Sequence, residues 1–213
     1  MMTDLEIRSG ADVLAISPVI PVVVVTDVTT AVLMAQALLR GGVGVIEITL
    51  RSAAGLEAIR AVAAEVPGMV VGAGTVLTPE QAAAVTEAGA RFIVTPGSPP
   101  RLLDAALGSG VPVLAGSGTL TEMLTLAERG LTAMKFFPAE ASGGVPYLAA
   151  VFGPCPQLRF CPTGGVSPTN ARDYLALPNV GCVGGSWLTP AAAVAAGDWD
   201  RIEALAAAAT ALR

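Results

Sequence analysis

Lys135 is the only lysine of the chain; the other eleven basic residues are arginines. It stands in the segment Met134-Lys135-Phe136-Phe137-Pro138. A lysine among such neighbours is expected to be desolvated, which disfavours the ammonium form and frees an amine that can form a Schiff base with a ketone. Arginine cannot do this because it stays protonated. The plainer alternative is a lysine that snorkels to solvent or pairs with an acid. The second chemistry-bearing group is Glu47-Ile48-Thr49-Leu50-Arg51. With a strand period of two, Glu47, Thr49 and Arg51 share one face. A carboxylate inside an apolar strand is costly unless paired or hydrogen-bonded. Two readings follow: a buried Glu47–Arg51 ion pair that fixes the fold, or proton transfer by Glu47 while Arg51 grips a substrate carboxylate bidentately.

Two glycine-rich segments, Thr163-Gly164-Gly165 and Gly184-Gly185-Ser186, could let backbone N–H groups approach an anion closely, with a helix N-terminus adding a favourable dipole. Ser142-Gly143-Gly144 reads equally well as a plain loop into the next helix. Other chemistries are ruled out by composition. Histidine is absent, which removes a Ser-His-Asp triad, a histidine base and any histidine metal site. Cys155, Cys161 and Cys182 match no zinc spacing and read as reduced thiols, so no metal is expected. Net charge is −5 with no basic stripe, so no nucleic-acid partner is expected. The longest strongly apolar run, Val19–Val25, is far shorter than the ~20 residues a membrane span needs. The start, MMTDLEIRSG, lacks the apolar stretch of a signal peptide. A cytoplasmic protein is the expectation.

The elements that must hold these residues follow from an alternation. Short Val/Ile-rich runs occur at Val19–Val25, Val43–Ile48, Met69–Ala73, Arg91–Thr95, Val111–Ala115, Ala133–Phe137, Leu158–Cys161 and Val180–Val183. Between them lie segments with helical spacing, such as Thr29–Leu39 and Leu56–Val66, and others after Thr78, Pro99, Thr119, Ser142 and Pro168. Thr78-Pro79-Glu80 supplies an N-cap, an N1 proline and a first-turn acid. Fully apolar strands alternating with helices imply a parallel sheet covered on both faces. Eight units at a repeat of about 23 residues favour a closed (β/α)₈ TIM barrel over a doubly wound sheet. Residues 3–17 are expected to add an N-terminal helix, and the alanine-rich tail Ala191–Arg213 to form a helix. With 53% apolar and 14% charged residues the chain is no disordered polymer, and 1–213 reads as one domain. In such a barrel the chemistry sits at the C-terminal ends of the strands, and phosphate commonly sits in the loops after the last two.

With these residues assembled, the chain resembles the 2-keto-3-deoxy-6-phosphogluconate (KDPG) aldolase / 4-hydroxy-2-oxoglutarate aldolase family of bacterial class I aldolases. The resemblance rests on PVIPVVVV, GGVGVIEITLR, VVGAGTVLTPEQ, GARFIVTPG, MKFFPAEASGG, RFCPTGG and GGSWL, which run through almost the whole chain. It implies a (β/α)₈ barrel that assembles as a homotrimer, and a cofactor-free carbon–carbon lyase. The reaction would cleave the phosphorylated keto acid to pyruvate and D-glyceraldehyde 3-phosphate, as in the Entner–Doudoroff pathway. Lys135 would be the Schiff-base lysine and Glu47 the general acid/base. Arg51 and Thr75 would hold the keto-acid carboxylate, and Pro96, Phe137 and Thr163 would line the pyruvate pocket. Gly164, Gly165 and Ser186, with Gly185 beside them, would take the distal phosphate.

Two departures stand out. Ala115-Gly116-Ser117-Gly118-Thr119 replaces the family's usual Pro-Gly-Ile-Ser-Thr after strand five. The first strand ends Val24-Val25-Thr26, without the arginine some relatives carry there. The rival readings are a 4-hydroxy-2-oxoglutarate or 2-dehydro-3-deoxy-6-phosphogalactonate aldolase, a phosphosugar isomerase or synthase barrel, and a non-catalytic binding barrel.

Overall fold

The computed structural model describes residues 6–212. Eight parallel strands alternate with helices: β1 (Val19–Val23), β2 (Val45–Thr49), β3 (Val70–Gly74), β4 (Ile93–Val94), β5 (Val113–Ser117), β6 (Ala133–Phe136), β7 (Arg159–Pro162) and β8 (Val183–Gly185). The order β7-β6-β5-β4-β3-β2-β1-β8 brings the ends of the sheet together. Single parallel bridges, Phe160↔Val180 and Thr163↔Gly184, close the ring between β7 and β8. This is the expected (β/α)₈ barrel. Apart from Arg159 at the start of β7, the strands are buried along their lengths because one face fills the barrel and the other meets the helices.

The helices start where the sequence has caps. α2 (Val28–Arg40) begins at Asp27, α4 (Pro79–Glu87) at Thr78 with its N1 proline, and α6 (Leu120–Glu128) at Thr119 in a capping box with Glu122. α3 (Gly55–Glu65), α5 (Pro100–Gly108), α7 (Gly144–Phe152) and α8 (Ala171–Leu175) complete the outer ring. α2 packs between α3 and α10 (Trp199–Thr210). No helix among the described residues is long and apolar enough to cross a membrane.

Several boundaries differ from the sequence reading. The N-terminal helix is α1 (Gly10–Ala15), capped by Ser9, so it covers only part of residues 3–17, and residues 3–5 lie outside the described residues. The tail is two helices, α9 (Ala191–Ala196) and α10, because Gly197 caps the first in a left-handed conformation (φ +65°) and Asp198 caps the second. The last strand begins at Val183, since Val180 makes only the single bridge to Phe160. Of the departing stretch Ala115–Thr119, the first three residues belong to β5 itself and Thr119 caps α6.

Candidate active site

β2 and β6 lie four places apart in the ring of eight, so they face each other across the barrel. Glu47 stands level with Val22 of β1 and Gly72 of β3, and Lys135 level with Gly116 of β5 and Cys161 of β7. Both side chains point inward and meet: Lys135 Nζ donates to Glu47 Oε1 at 3.2 Å. The pair is nearly dry, with side chains 7% and 4% exposed. Two long charged groups fit inside one barrel only because neighbouring strands give up side-chain volume there. A Cβ on Gly74 would collide with the Glu47 carboxylate, and one on Gly184 with the hydroxyl of Thr163.

This geometry decides between two open readings and corrects one expectation. Glu47 pairs with Lys135, not with Arg51, because β2 ends at Thr49 and strand alternation no longer governs residue 51. Arg51 stands exposed at the rim, where its Nε donates to Thr49 Oγ1 at 3.3 Å. Thr49 is anchored in turn by donating to the carbonyl of Val23 at 2.8 Å. The correction concerns the residues that dry Lys135. Phe136 faces outward, stacked on Tyr147 at 5.4 Å between centroids and set edge-on to Phe160. Of the expected neighbours Phe137 does enclose the amine, its ring 5.4 Å from Nζ, together with the barrel interior.

All eleven residues to which the resemblance gives a role line one cavity of about 290 Å³ at the C-terminal mouth of the barrel. Lys135 and Glu47 lie on its floor, Arg51, Thr75, Pro96, Phe137 and Thr163 around it, and Gly164, Gly165, Gly185 and Ser186 along one side. Thr49, Gly184, Val22 and Val166 line it too. Val22 carried no signal of its own, but its register with Glu47 places it there. Thr75 has φ +57°, a conformation that a β-branched residue adopts only under strain. Strain of this kind, about 1–3 kcal/mol, gathers at binding sites, where it fixes groups that a relaxed chain would not present.

The glycine side is built differently. Three successive carbonyls are tied from outside the cavity: Thr163 O accepts from Ala139 N at 2.8 Å, Gly164 O from Glu140 N at 3.0 Å, and Gly165 O from Asn170 Nδ2 at 3.2 Å. Gly164 and Gly165 both have positive φ, +99° and +82°. Among the described residues, no hydrogen bond engages the amides of Gly165 or Val166, while that of Gly164 lies on the bridge to Gly184. Such a turn is an anion-receptive nest. The expected helix dipole does not contribute: α8 starts at Ala171, past the turn, and is only five residues long. Ser142-Gly143-Gly144 leads into α7 and stays out of the cavity.

A family model described as KDPG and KHG aldolase matches residues 11–205. The chain is 54% identical over 198 residues to the KHG/KDPG aldolase of Escherichia coli, covering 93% of each chain. A crystal structure of KDPG aldolase from Legionella pneumophila, with pyruvate captured as a covalent carbinolamine, superposes with a TM-score of 0.93 at 42% identity, covering 95% of this chain and 98% of that one. The Zymomonas mobilis 2-keto-3-deoxy-6-phosphogluconate aldolase, solved with 3-phosphoglycerate, gives 0.91 at 42% identity, covering 98% of both chains.

Proposed function

The chain belongs to the KDPG and KHG aldolase family, and from that premise we propose how its own residues cleave 2-dehydro-3-deoxy-6-phosphogluconate to pyruvate and D-glyceraldehyde 3-phosphate. The observation that carries the reading is the dry Lys135–Glu47 pair at the floor of a cavity whose side is a glycine turn.

Lys135 Nζ, relieved of a proton by Glu47, attacks the C2 ketone to give a carbinolamine. Glu47 returns that proton to the carbinolamine hydroxyl, which leaves as water, so that an iminium stands at C2 and Glu47 is again a carboxylate. Glu47, 3.2 Å from the amine before substrate arrives, is positioned to take the C4 hydroxyl proton, directly or through a water. The electrons of the C3–C4 bond flow into the iminium, releasing D-glyceraldehyde 3-phosphate and leaving an enamine on Lys135. Glu47 returns its proton to C3, and water hydrolyses the resulting imine to free pyruvate and the lysine. Arg51 and Thr75 hold the carboxylate beside C2, Pro96, Phe137 and Thr163 enclose the three-carbon half, and Gly164, Gly165, Gly185 and Ser186 receive the phosphate. The iminium supplies the polarisation, so the reaction requires no metal, and turnover in a chelator should equal turnover without one.

The test uses the lone lysine. Incubation with pyruvate, reduction with borohydride and mass mapping should give one stable adduct, on Lys135. An unmodified protein would remove the Schiff-base mechanism. A second substrate, 4-hydroxy-2-oxoglutarate, is favoured by the name of the Escherichia coli relative. Comparison of kcat/KM for the two, and for the phosphogalactonate epimer, ranks them. The reading carries with it a cytoplasmic homotrimer serving the Entner–Doudoroff pathway; light scattering tests the trimer.

A further inference from the structure

Two residues outside the cavity hold the glycine turn from behind. The phenol of Tyr174, on α8, donates a hydrogen bond to Glu140 Oε1. Glu140 follows β6 and ends the segment that began with Lys135; its amide donates to Gly164 O. Its Cβ and Cγ lie directly beneath Gly165, so closely that a methyl at position 165 would sit 2.5 Å from Cγ. The turn therefore rests on Glu140, and Glu140 is tied to the helix that follows the turn.

Packing alone does not call for these residue types. Tyr174 is completely buried, and a phenylalanine would fill the same space without bringing a polar atom that needs a partner. Glu140 is exposed, so no core requirement keeps it, and a carboxylate beneath an anion-receptive turn is electrostatically adverse unless it has a structural task. Burial and the neighbouring Glu140 carboxylate both push the Tyr174 phenol well above its ordinary range, so it stays a donor throughout physiological pH.

We propose that Tyr174 and Glu140 form a strut that sets the height and orientation of the Thr163–Gly165 turn, making both positioning residues for the phosphate end of the substrate. The proposal rests on the phosphate reading of that turn. It assigns neither residue a contact with substrate: each acts through the backbone of Gly164 and Gly165.

The experiment compares the phosphorylated substrate with its dephosphorylated counterpart on wild type, Y174F, E140Q and E140A. Y174F and E140A should raise KM for the phosphorylated substrate about tenfold, the effect of losing roughly one hydrogen bond to phosphate, with kcat nearly unchanged. Their kcat/KM for the dephosphorylated substrate should stay within about twofold of wild type. E140Q keeps an acceptor for the phenol and should stay near wild type on both. Equal losses on the two substrates, or no loss on either, would overturn the strut. So would a tighter phosphate site in E140A, since that would make Glu140 merely an adverse charge. If wild type itself fails to prefer the phosphorylated substrate, the phosphate reading falls first, which separates the two failures. Glu140 is exposed, so its variants carry the test should Y174F fold poorly.

Discussion

The two ends of the cavity are made of different material. At the reacting end, side chains from two strands, Glu47 on β2 and Lys135 on β6, meet inside the barrel. At the end proposed for the phosphate, the groups offered are backbone amides of a turn after β7, and the side chains tied to that turn stand behind it. The first arrangement depends on residue chemistry and should tolerate no replacement. The second depends on conformation, so that several residues each contribute a little to holding one shape.

The sharpest way to test this contrast is at Lys135. K135R retains a cation for Glu47 but no amine that can form an imine. Cleavage and borohydride trapping should both fall below detection, and residual turnover at even a hundredth of wild type would break the contrast. K135M adds a stability effect of its own. It strands a buried carboxylate, which typically costs about 3–5 kcal/mol. The double variant K135M/E47L should regain much of that by thermal denaturation while remaining inactive.

Next in size is E47Q, which removes the proton shuttle but keeps the shape. Cleavage should fall by roughly 10²–10⁴, while slow trapping of pyruvate on Lys135 persists. Wild-type turnover would take Glu47 out of the mechanism. G74A should imitate E47Q more mildly, because a Cβ there forces the carboxylate aside. A displacement near 1 Å can cost up to about 10² in rate, read as a fall in kcat with pyruvate trapping retained. At the anion end, G165A places a methyl against Glu140 at a positive φ. It should raise KM for the phosphorylated substrate about tenfold or more, a lost hydrogen bond being worth roughly that factor, and leave kcat close to wild type.

The same division explains what could be read from the sequence. Lys135 and Glu47 declared themselves because a lone lysine and an acid within apolar strands demand an explanation. The eight apolar runs fixed the barrel, since a fully buried strand has little else to say. The choice between the two readings of Arg51 was not legible, because the partner that Glu47 takes, Lys135, stands 88 residues away on another strand. The glycine turn was visible as a pattern, but the groups that hold it were not. Asn170, Glu140 and Tyr174 reach it from positions 5 to 34 residues apart in hydrogen-bonded pairs. No local spacing announces such contacts. The break in the tail was local, and the chain carries its signal in Gly197-Asp198, a C-cap followed by an N-cap.

The smallest effect probes the strut without substrate. Tyr174 keeps its proton in the folded state to a higher pH than an ordinary phenol, first because it is buried and second because Glu140 accepts from it. Below the ordinary phenol value of about 10 both folded and unfolded chains hold that proton, and the strut's stabilisation is fully present. Above it the unfolded chain ionises while the folded one does not, so the unfolded state gains and stability falls as pH rises. Y174F has no such group. Its Tm should lie below that of wild type at pH 7, and the gap should narrow as pH is raised above about 10. Titrations common to both proteins cancel in the difference. A gap that is constant across that range would mean the phenol is no more buried from solvent in function than an exposed tyrosine, and the anion end would then rest on the turn's own glycines and on Asn170.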